Sequence, residues 1–378
     1  MQQDLSEHDQ QFLARITQFV DEEVIPQAPE LDASGSYPAT LVKRLRELGL
    51  FAASGRPLPV YCLALEEIAR GWLSLIPVVN AHSSSVWTLK HYGTEEQKRD
   101  WLPALTSGDK AACLGLTEPG GGSDLQNISS TARPNGDGWL IDGHKTFITH
   151  ADHSDAMMVL LRTDHRVPGQ PGLSLFMLHR DEWEVVRKLP KLGTKGIETC
   201  ELRINGLQVP KDRLIGTVPG HGFAQVMDAL EVGRLAVAAA AVGVGRSALW
   251  NAVESVRARE AFGQTVSDMP AVQAQLAETA NTLAAAKALT NAAANAKQAG
   301  GRHDLETSSA KVFAADAAVK ASLTAMELAG GNGYLEDNRF AQLLRDAALF
   351  LAGEGSNGVL NALIGHKISH GTKDLAWL

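Results

Sequence analysis

The sequence has few cysteines and no cysteine pattern, and this shortage excludes two classes of protein. Its 378 residues contain three cysteines, Cys62, Cys113 and Cys200, which lie far apart and form no CxxC or Cys/His spacing. A disulfide framework and a cysteine-ligated zinc site are therefore not expected. The three thiols are predicted to be buried small hydrophobic groups in a reducing compartment.

The sequence also lacks a block of like charge and a long apolar run. The formal net charge of -8 is spread along the chain, so a nucleic-acid partner, which needs a basic face, is not expected. No apolar run approaches the roughly 20 residues of a membrane span, and the alanine-rich stretch 235–243 is bounded by Arg234 and Arg246. The polar start MQQDLSEHDQ is typical of neither a signal peptide nor a transit peptide. A cytoplasmic protein without a membrane partner is predicted.

The hydrophobic periodicity divides the chain into three parts. Residues 1–110 have helical spacing, residues 111–217 have short β-branched runs between Gly, Pro, Asn and Asp clusters, and residues 218–378 are helical and rich in alanine and leucine. The strands are too closely spaced for helical crossovers, which favours an antiparallel sheet. The predicted fold is α+β, with an N-terminal helical domain, a central antiparallel β domain and a C-terminal helical bundle.

Two local signals predict specific backbone features. Thr94 and Gln97 have the spacing of a capping box, with Thr94 as the first cap of a helix. Asn205-Gly206 separates the alternating run 201–204 from 207–209, which predicts a two-residue hairpin turn.

The segment LTEPGGGSD at 116–124 opens the β domain with three consecutive glycines. Such a run lets the backbone approach a flat or anionic ligand, and the neighbouring hydroxyls can donate hydrogen bonds. A glycine run alone is more typical of a surface loop, and no Gly-Lys-Ser/Thr follows to make a P-loop.

The segment GEGSN at 353–357 places Glu354 between two glycines after the apolar run 347–352. A carboxyl group in that position can be desolvated, which would raise its pKa and suit it to general-base catalysis. A solvated acid in a turn is an equally good interpretation of the residues alone.

Two further patterns match the letters of a binding motif but do not predict a dinucleotide site or a metal site. GVGRSA at 243–248 matches GxGxxA but has no strand before it, so close helix packing is predicted in place of a dinucleotide site. His144 and His150 would share a strand face, with His153 nearby, but no carboxylate or cysteine pattern completes a metal site, so no metal is predicted.

Taken in order, several motifs resemble those of the acyl-CoA dehydrogenase family over nearly the whole chain. They are LTEPGGGSD (116–124), DGHKTFIT (142–149), KLGTKG (191–196), VPKDRLIG (209–216), GR (233–234), RxxFG (259–263), GGNGY (330–334), RDA (345–347) and GEGS (353–356). The resemblance implies a C-terminal four-helix bundle, FAD as cofactor and a homo-oligomer that is a dimer of dimers.

The resemblance also assigns roles to residues at matching positions. Those implied to surround the flavin within one subunit are Leu116, Thr117, Gly122, Ser123, Phe147, Thr149 and Ser356. Those implied to reach the FAD of a neighbouring subunit are Arg259, Phe262, Glu327 and Gly331. The thioester would contact Ser123, Glu231 and Arg234, and Glu354 would be the base that removes its α-proton.

The implied activity is α,β-dehydrogenation of an acyl-CoA or acyl-carrier-protein thioester, with hydride passing to flavin N5 and electrons to an acceptor such as an electron-transfer flavoprotein. Some family members carry the base before the arginine matched by Arg234, where this chain has Gly233. A flavin oxidase or monooxygenase on the same fold, or a catalytically silent flavoprotein subunit, are the alternatives, and the glutamate at position 354 favours the dehydrogenase.

The sequence departs from the family pattern at a few positions. A Pro-x-x-Tyr/Phe-Gly-Gly segment is missing after Gly49, Gly353 stands where a tyrosine is common, and Phe147 replaces the usual tryptophan. Glu327 replaces a glutamine. The position after Asn357 is Gly358, where the family often has glutamine, glutamate or a similar residue. Because of these differences, the sequence does not identify the acyl chain of the substrate or decide whether CoA or a carrier protein bears it.

Overall fold

The computed structural model describes residues 5–164, 166–167 and 169–370. The predicted outer bounds of the first and last domains, and the first four residues of the polar start, lie outside these ranges.

The N-terminal part is helical, as the periodicity predicts. Its helices are α1 (Glu7–Phe19), α2 (Ile25–Ser34), α3 (Ala39–Glu47), α4 (Leu58–Gly71), α5 (Ile76–Tyr92) and α6 (Glu95–Ser107). The capping box is confirmed, because Gln97 N donates to Thr94 Oγ1 at 3.2 Å and Thr94 N donates to Gln97 Oε1 at 2.9 Å.

The central part is a single main sheet. Its strands are β1 (Ala112–Gly115), β2 (Thr131–Asn135), β3 (Gly138–Thr149), β4 (Ala156–Arg162), β5 (Leu173–His179), β6 (Glu184–Lys188) and β7 (Thr199–Pro210). The strand order is β1-β4-β2-β3-β7-β6, and β5 pairs with β4.

Two strand pairs depart from the predicted antiparallel arrangement of the central domain. β1 and β4 pair in parallel from Ala112–Ala156 to Gly115–Val159, and β2 meets β4 in parallel at Thr131–Arg162. The other pairs of this sheet are antiparallel. The β2–β3 hairpin lies in the connection between β1 and β4, so a parallel pair forms here without a crossover helix.

The predicted turn at Asn205-Gly206 is also wrong. β7 runs through both residues, and its pairing with β3 shifts between Ile204–Gly143 and Leu207–Ile141. Gly206 adopts a φ of 55°, and its N–H donates to Asp142 Oδ1 at 2.8 Å. The Asn-Gly pair therefore forms a β-bulge, which uses the same left-handed glycine conformation as a hairpin turn.

The C-terminal part is a helical bundle with one small hairpin. Its helices are α7 (Gly222–Arg257), α8 (Pro270–Gln298), α9 (Asp304–Ala329), α10 (Arg339–Ala347) and α11 (Asn357–His370), and the hairpin strands are β8 (Glu260–Ala261) and β9 (Gln264–Thr265). GVGRSA lies within α7, as predicted. A Cβ on Gly243 would lie 2.1 Å from Glu66 O, and one on Gly245 would lie 2.3 Å from Leu283 Cδ2, so both glycines allow close helix packing.

One apolar core joins the two helical parts. It contains residues of α4, α7 and α9, with Leu65, Leu235 and Ala314 all fully buried within it. Helix α5 packs against α7, and the turn before α11 lies against α7 at Gly233. Within the described residues, no helix combines the length and the apolar character that a bilayer crossing demands. Cys62, Cys113 and Cys200 are free and buried, which confirms their predicted burial.

Candidate active site

The carboxylate of Glu354 lies against α7 and α5. The residue follows a short 3-10 turn at Ala348–Leu351, and it adopts a left-handed φ of 54°. Its Oε1 accepts a hydrogen bond from Asn80 Nδ2 at 2.8 Å. Its Oε2 is buried and has no hydrogen-bond partner among the described residues. The carboxylate is therefore not the solvated acid that the sequence left open.

Gly233 provides the space for this carboxylate. A Cβ at position 233 would lie 2.6 Å from Glu354 Oε2 and 2.9 Å from its Cδ. These distances are far below van der Waals contact, so a side chain on this turn of α7 would displace the carboxylate.

The surroundings of Glu354 act on its charge in opposite directions. Burial raises the pKa of Glu354, while the nearby positive charge of Arg234, the Asn80 hydrogen bond and the positive charge of Lys311 lower it, and the net pKa is raised. Lys311 is buried in α9, and burial lowers the pKa of its amine to about 8. Its Nζ donates to Gly355 O at 2.7 Å and to Asn357 Oδ1 at 2.8 Å, which fixes the turn that carries Glu354.

Glu231 and Arg234 lie on α7, and both contact other charged residues of the chain. Arg234 Nη1 lies 3.5 Å from Asp304 Oδ1. Glu231 is fully buried, and its carboxylate accepts hydrogen bonds from Lys297 Nζ at 2.7 Å, from the Arg302 side chain and from the backbone N–H of residue 303 at 2.9 Å. A contact between Glu231 and a substrate therefore stays a prediction.

The glycine-rich loop is fixed beside the end of β3. Thr146 N donates to Thr117 O at 2.9 Å. Glu118 is buried; its carboxylate accepts from Lys145 Nζ at 2.8 Å and from the backbone of Ser129 at 2.6 Å. The charge of Lys145 and these hydrogen bonds outweigh burial and lower the pKa of Glu118 to about 2. The segment from Leu116 to Ser123 therefore has an anchored base and an exposed tip.

Phe147 and Thr149 end β3 next to this loop. The Phe147 side chain is 66% exposed although the ring is large and apolar, and the residue has a φ of 58°. Thr149 is half-buried. An exposed phenyl ring on a left-handed backbone is costly unless something covers it.

A second group of predicted residues meets at the end of α9. Arg259 donates to Leu328 O at 2.9 Å and to Ala329 O at 3.0 Å, which places it beside Glu327 and Gly331. Phe262 is 97% exposed with a φ of 55°, at the turn of the β8–β9 hairpin. Within one chain this group belongs to the bundle, while Thr117 and Phe147 belong to the β domain. Ser356 lies in the turn before α11, two residues after Glu354.

The histidines that suggested a strand face are separated by the fold. His144 pairs with Glu201 at 2.7 Å, while His150 Nε2 lies 2.8 Å from Tyr37 OH. The ligand atoms of His150, His153 and Glu198 lie within 4.8 Å of one another. His153 Nδ1 already lies 2.8 Å from Glu198 Oε1 and both nitrogens of His150 have hydroxyl partners, so hydrogen bonding accounts for this group.

Asn80 and Lys311 are two site residues that the sequence patterns missed. They lie 274 and 43 positions before Glu354, and neither belongs to a recognisable motif. The sequence shows only an asparagine within a helical, partly apolar segment, and this pattern does not identify Glu354 as its partner.

Comparison with known proteins identifies the family. Its models match almost the whole chain: the acyl-CoA dehydrogenase N-terminal domain at 6–109, the middle domain at 113–207 and the C-terminal domain at 220–369. The chain belongs to the acyl-CoA dehydrogenase family. As a family member it is an oxidoreductase that acts on the CH-CH bond of acyl thioesters.

Individual members of the acyl-CoA dehydrogenase family are similar over almost the same length. The chain is 34% identical to the mitochondrial short-chain specific acyl-CoA dehydrogenase of Bos taurus, over 92% of this chain and 87% of that protein. Butyryl-CoA dehydrogenase from Megasphaera elsdenii has a TM-score of 0.94 at 30% identity, over 97% of this chain and 99% of that one. A glutaryl-CoA dehydrogenase from Mycobacterium smegmatis, in complex with FADH2, has a TM-score of 0.90 at 25% identity, over 98% and 96%.

Proposed function

We propose that this protein is an FAD-dependent dehydrogenase of an acyl-CoA or acyl-carrier-protein thioester, in which Glu354 removes the α-proton of the substrate. The observation that carries the proposal is the Glu354 carboxylate, whose Oε2 is buried without a hydrogen-bond partner among the described residues and whose pKa is raised by burial. A base that works near neutral pH needs such an environment, because a fully solvated carboxylate is too weak a base.

The family depends on FAD, and the described residues fit this cofactor. Phe147 presents an exposed aromatic ring beside Thr117 and Thr149, whose hydroxyls can donate hydrogen bonds. A Cβ on Gly120 or Gly121 would meet nothing within 4 Å, so the loop backbone is open to a ligand. Leu116, Gly122, Ser123 and Ser356 complete the proposed contacts from the same subunit. When bound, FAD accepts the β-hydrogen of the substrate as hydride.

The chain supplies the proton chemistry. The Cα–H bond of the thioester breaks, the proton forms an O–H bond with the Glu354 carboxylate, and the electron pair remains with the α-carbon until it forms the double bond. Arg234 and Lys311 lie near enough to lower the pKa of the carboxyl, so they help to keep it ionised before the reaction. Ser123, Glu231 and Arg234 are the proposed contacts of the thioester arm. The product is the α,β-unsaturated thioester.

A homotetramer, arranged as a dimer of dimers, is part of the proposal. Phe262 and Tyr334 are 97% and 85% exposed, and large exposed aromatic side chains are typical of surfaces that another subunit covers. Arg259, Glu327 and Gly331 lie in the same region and would contact the FAD of the neighbouring subunit. An electron-transfer flavoprotein is the proposed acceptor, in the cytoplasm.

Anaerobic mixing with short acyl-CoA thioesters tests the proposal. Wild-type protein reconstituted with FAD should lose its yellow colour with at least one of them. The Glu354→Gln variant should still bind FAD. Its rate of FAD reduction by the thioester should be at least about 10²–10⁴-fold lower than that of the wild type, because the amide cannot accept a proton. Near wild-type reduction by Glu354→Gln would refute the base assignment, and no bleaching by any thioester would favour the silent subunit. Rapid reoxidation by oxygen would favour the oxidase.

A further inference from the structure

The hydrogen bond between Asn80 and Glu354 distinguishes the two oxygens of the proposed base. We infer that Asn80 is a positioning residue that fixes the Glu354 carboxylate through Oε1 and leaves Oε2 as the oxygen that accepts the proton. The inference rests on the proposed function, in which Glu354 is the base. It adds a residue from the N-terminal helical domain to a site otherwise formed by the bundle and the β domain.

The contacts of the two carboxylate oxygens differ in kind. Oε1 accepts from Asn80 Nδ2 at 2.8 Å, a charge-assisted hydrogen bond from a side chain that is only 7% exposed. Oε2 is buried, lies against Gly233 and has no partner among the described residues. A carboxylate oxygen without a partner keeps its lone pairs available, so the proton from the α-carbon is transferred to Oε2. The new O–H bond then lies on the oxygen that Asn80 does not contact.

The amide orientation of Asn80 follows from its neighbour. A carboxylate is only an acceptor, so the amide must turn its NH₂ group toward Oε1. The Asn80 Oδ1 atom is then left buried and has no hydrogen-bond partner in the described part of the chain. A buried polar atom without a partner is unfavourable, so the orientation is maintained by the contact with Glu354.

The other groups that face Glu354 come from three helices. Arg234 on α7 and Lys311 on α9 lower the pKa of its carboxyl, as Asn80 on α5 does. Tyr61 on α4 is buried, and burial keeps the pKa of its phenol above the usual range, so it stays neutral. Lys311, with a pKa of about 8, loses its charge only on the alkaline side. The acid side of a pH profile therefore reports the carboxyl and its contact with Asn80.

Two substitutions at position 80 test the inference. Asn80→Leu keeps the branched shape of the side chain but removes the donor, and Asn80→Asp places a second carboxyl group beside the first. The hydrogen bond favours the charged form of Glu354, so its loss should raise the midpoint for protonation by about one to two pH units. Asn80→Asp should raise the midpoint at least as far, because like charges disfavour ionisation.

Two measurements give that midpoint. The first is the acid limb of the pH profile for anaerobic FAD reduction by butyryl-CoA. The second is an infrared titration of the carboxyl band that Glu354→Gln removes, which needs neither substrate nor FAD. Both midpoints should move to higher pH in both variants.

Ser85→Ala is the matched control on the same helix. Ser85 is buried, but its hydroxyl donates to Cys113 O and to Ala81 O, both at 3.2 Å, away from Glu354. This variant should keep both midpoints at their wild-type values. Wild-type midpoints in Asn80→Leu and Asn80→Asp would overturn the inference. Fast FAD reduction by Glu354→Gln would instead overturn the base assignment, while the infrared titration would still decide whether Asn80 acts on Glu354.

Discussion

Gly233→Ala is the substitution whose effect the structure defines most narrowly. The added methyl group would lie 2.6 Å from Glu354 Oε2 and 2.9 Å from its Cδ, where ordinary van der Waals contact begins at 3.4 Å. Either α7 or the carboxylate must therefore move by roughly an ångström. Because α7 is packed against α4, α5 and α9, the side chain of Glu354 is the part that can yield. A displacement of that size costs about 10²-fold in rate when a catalytic group loses its alignment.

Although Gly233→Ala should displace the carboxylate, the same substitution should stabilise helix α7. Alanine is favoured over glycine within a helix by about 0.5–1 kcal/mol, which offsets part of the steric cost. We therefore expect Gly233→Ala to fold, to bind FAD and to lose activity without a comparable loss of stability. Stopped-flow reduction at saturating butyryl-CoA, FAD absorbance and thermal unfolding measure the three quantities.

Gly358→Ala is the control for this experiment. Gly358 lies in α11, and a Cβ there would meet nothing within 4 Å. The Gly358→Ala variant should therefore have a more stable α11 helix and reduce its FAD at the wild-type rate. If Gly233→Ala also reduces FAD at the wild-type rate, the carboxylate does not need the position described here, and the steric argument is wrong.

Three further substitutions have defined outcomes. Lys145→Met leaves the Glu118 carboxylate buried without its cation, so the free energy of unfolding should fall by about 3–5 kcal/mol in denaturant titrations; an unchanged value would mean that water replaces the amine. Phe262→Ser should weaken subunit association and FAD retention, measured by light scattering and absorbance; a tetramer with full FAD content would contradict that role. Burial lowers the pKa of His150 to about 4, against 6.5 in the unfolded chain, so its contribution to stability is present above pH 6.5 and is lost as the pH falls toward 4. His150→Gln should reduce the slope of melting temperature against pH in that window, and an unchanged slope would show that other groups control it.

The sequence predicts those parts of the fold that depend on neighbours along the chain. The capping box of Thr94 and Gln97 is complete within four residues, and the glycines at 243 and 245 belong to an alanine-rich helical pattern with no strand before it. In both cases the local pattern contains the physical cause, and the structure confirms the predictions.

The predictions that fail depend on residues far apart in the sequence. Asn205-Gly206 fits a hairpin turn and a bulge equally well, and only the partner strand β3 decides between them. The parallel pairing of β1 with β4 joins residues 44 positions apart, from Ala112 to Ala156. Similarly, the glycines around Glu354 indicate a special turn, but the donor at Asn80 is 274 residues away. Packing of α5 on α7 creates that contact, and no local pattern encodes it.

The position of Asn80 makes the ionisation of Glu354 sensitive to the docking of two domains. Gly233, Lys311 and Glu354 all belong to the C-terminal bundle, whereas Asn80 comes from the N-terminal helices. If the helices α4 and α5 moved away from α7, water would reach the carboxylate and its pKa would return toward that of an ordinary glutamate. The basicity of Glu354 is thus a property of the assembled chain, and a titration of this one group reports whether the two helical domains are in contact.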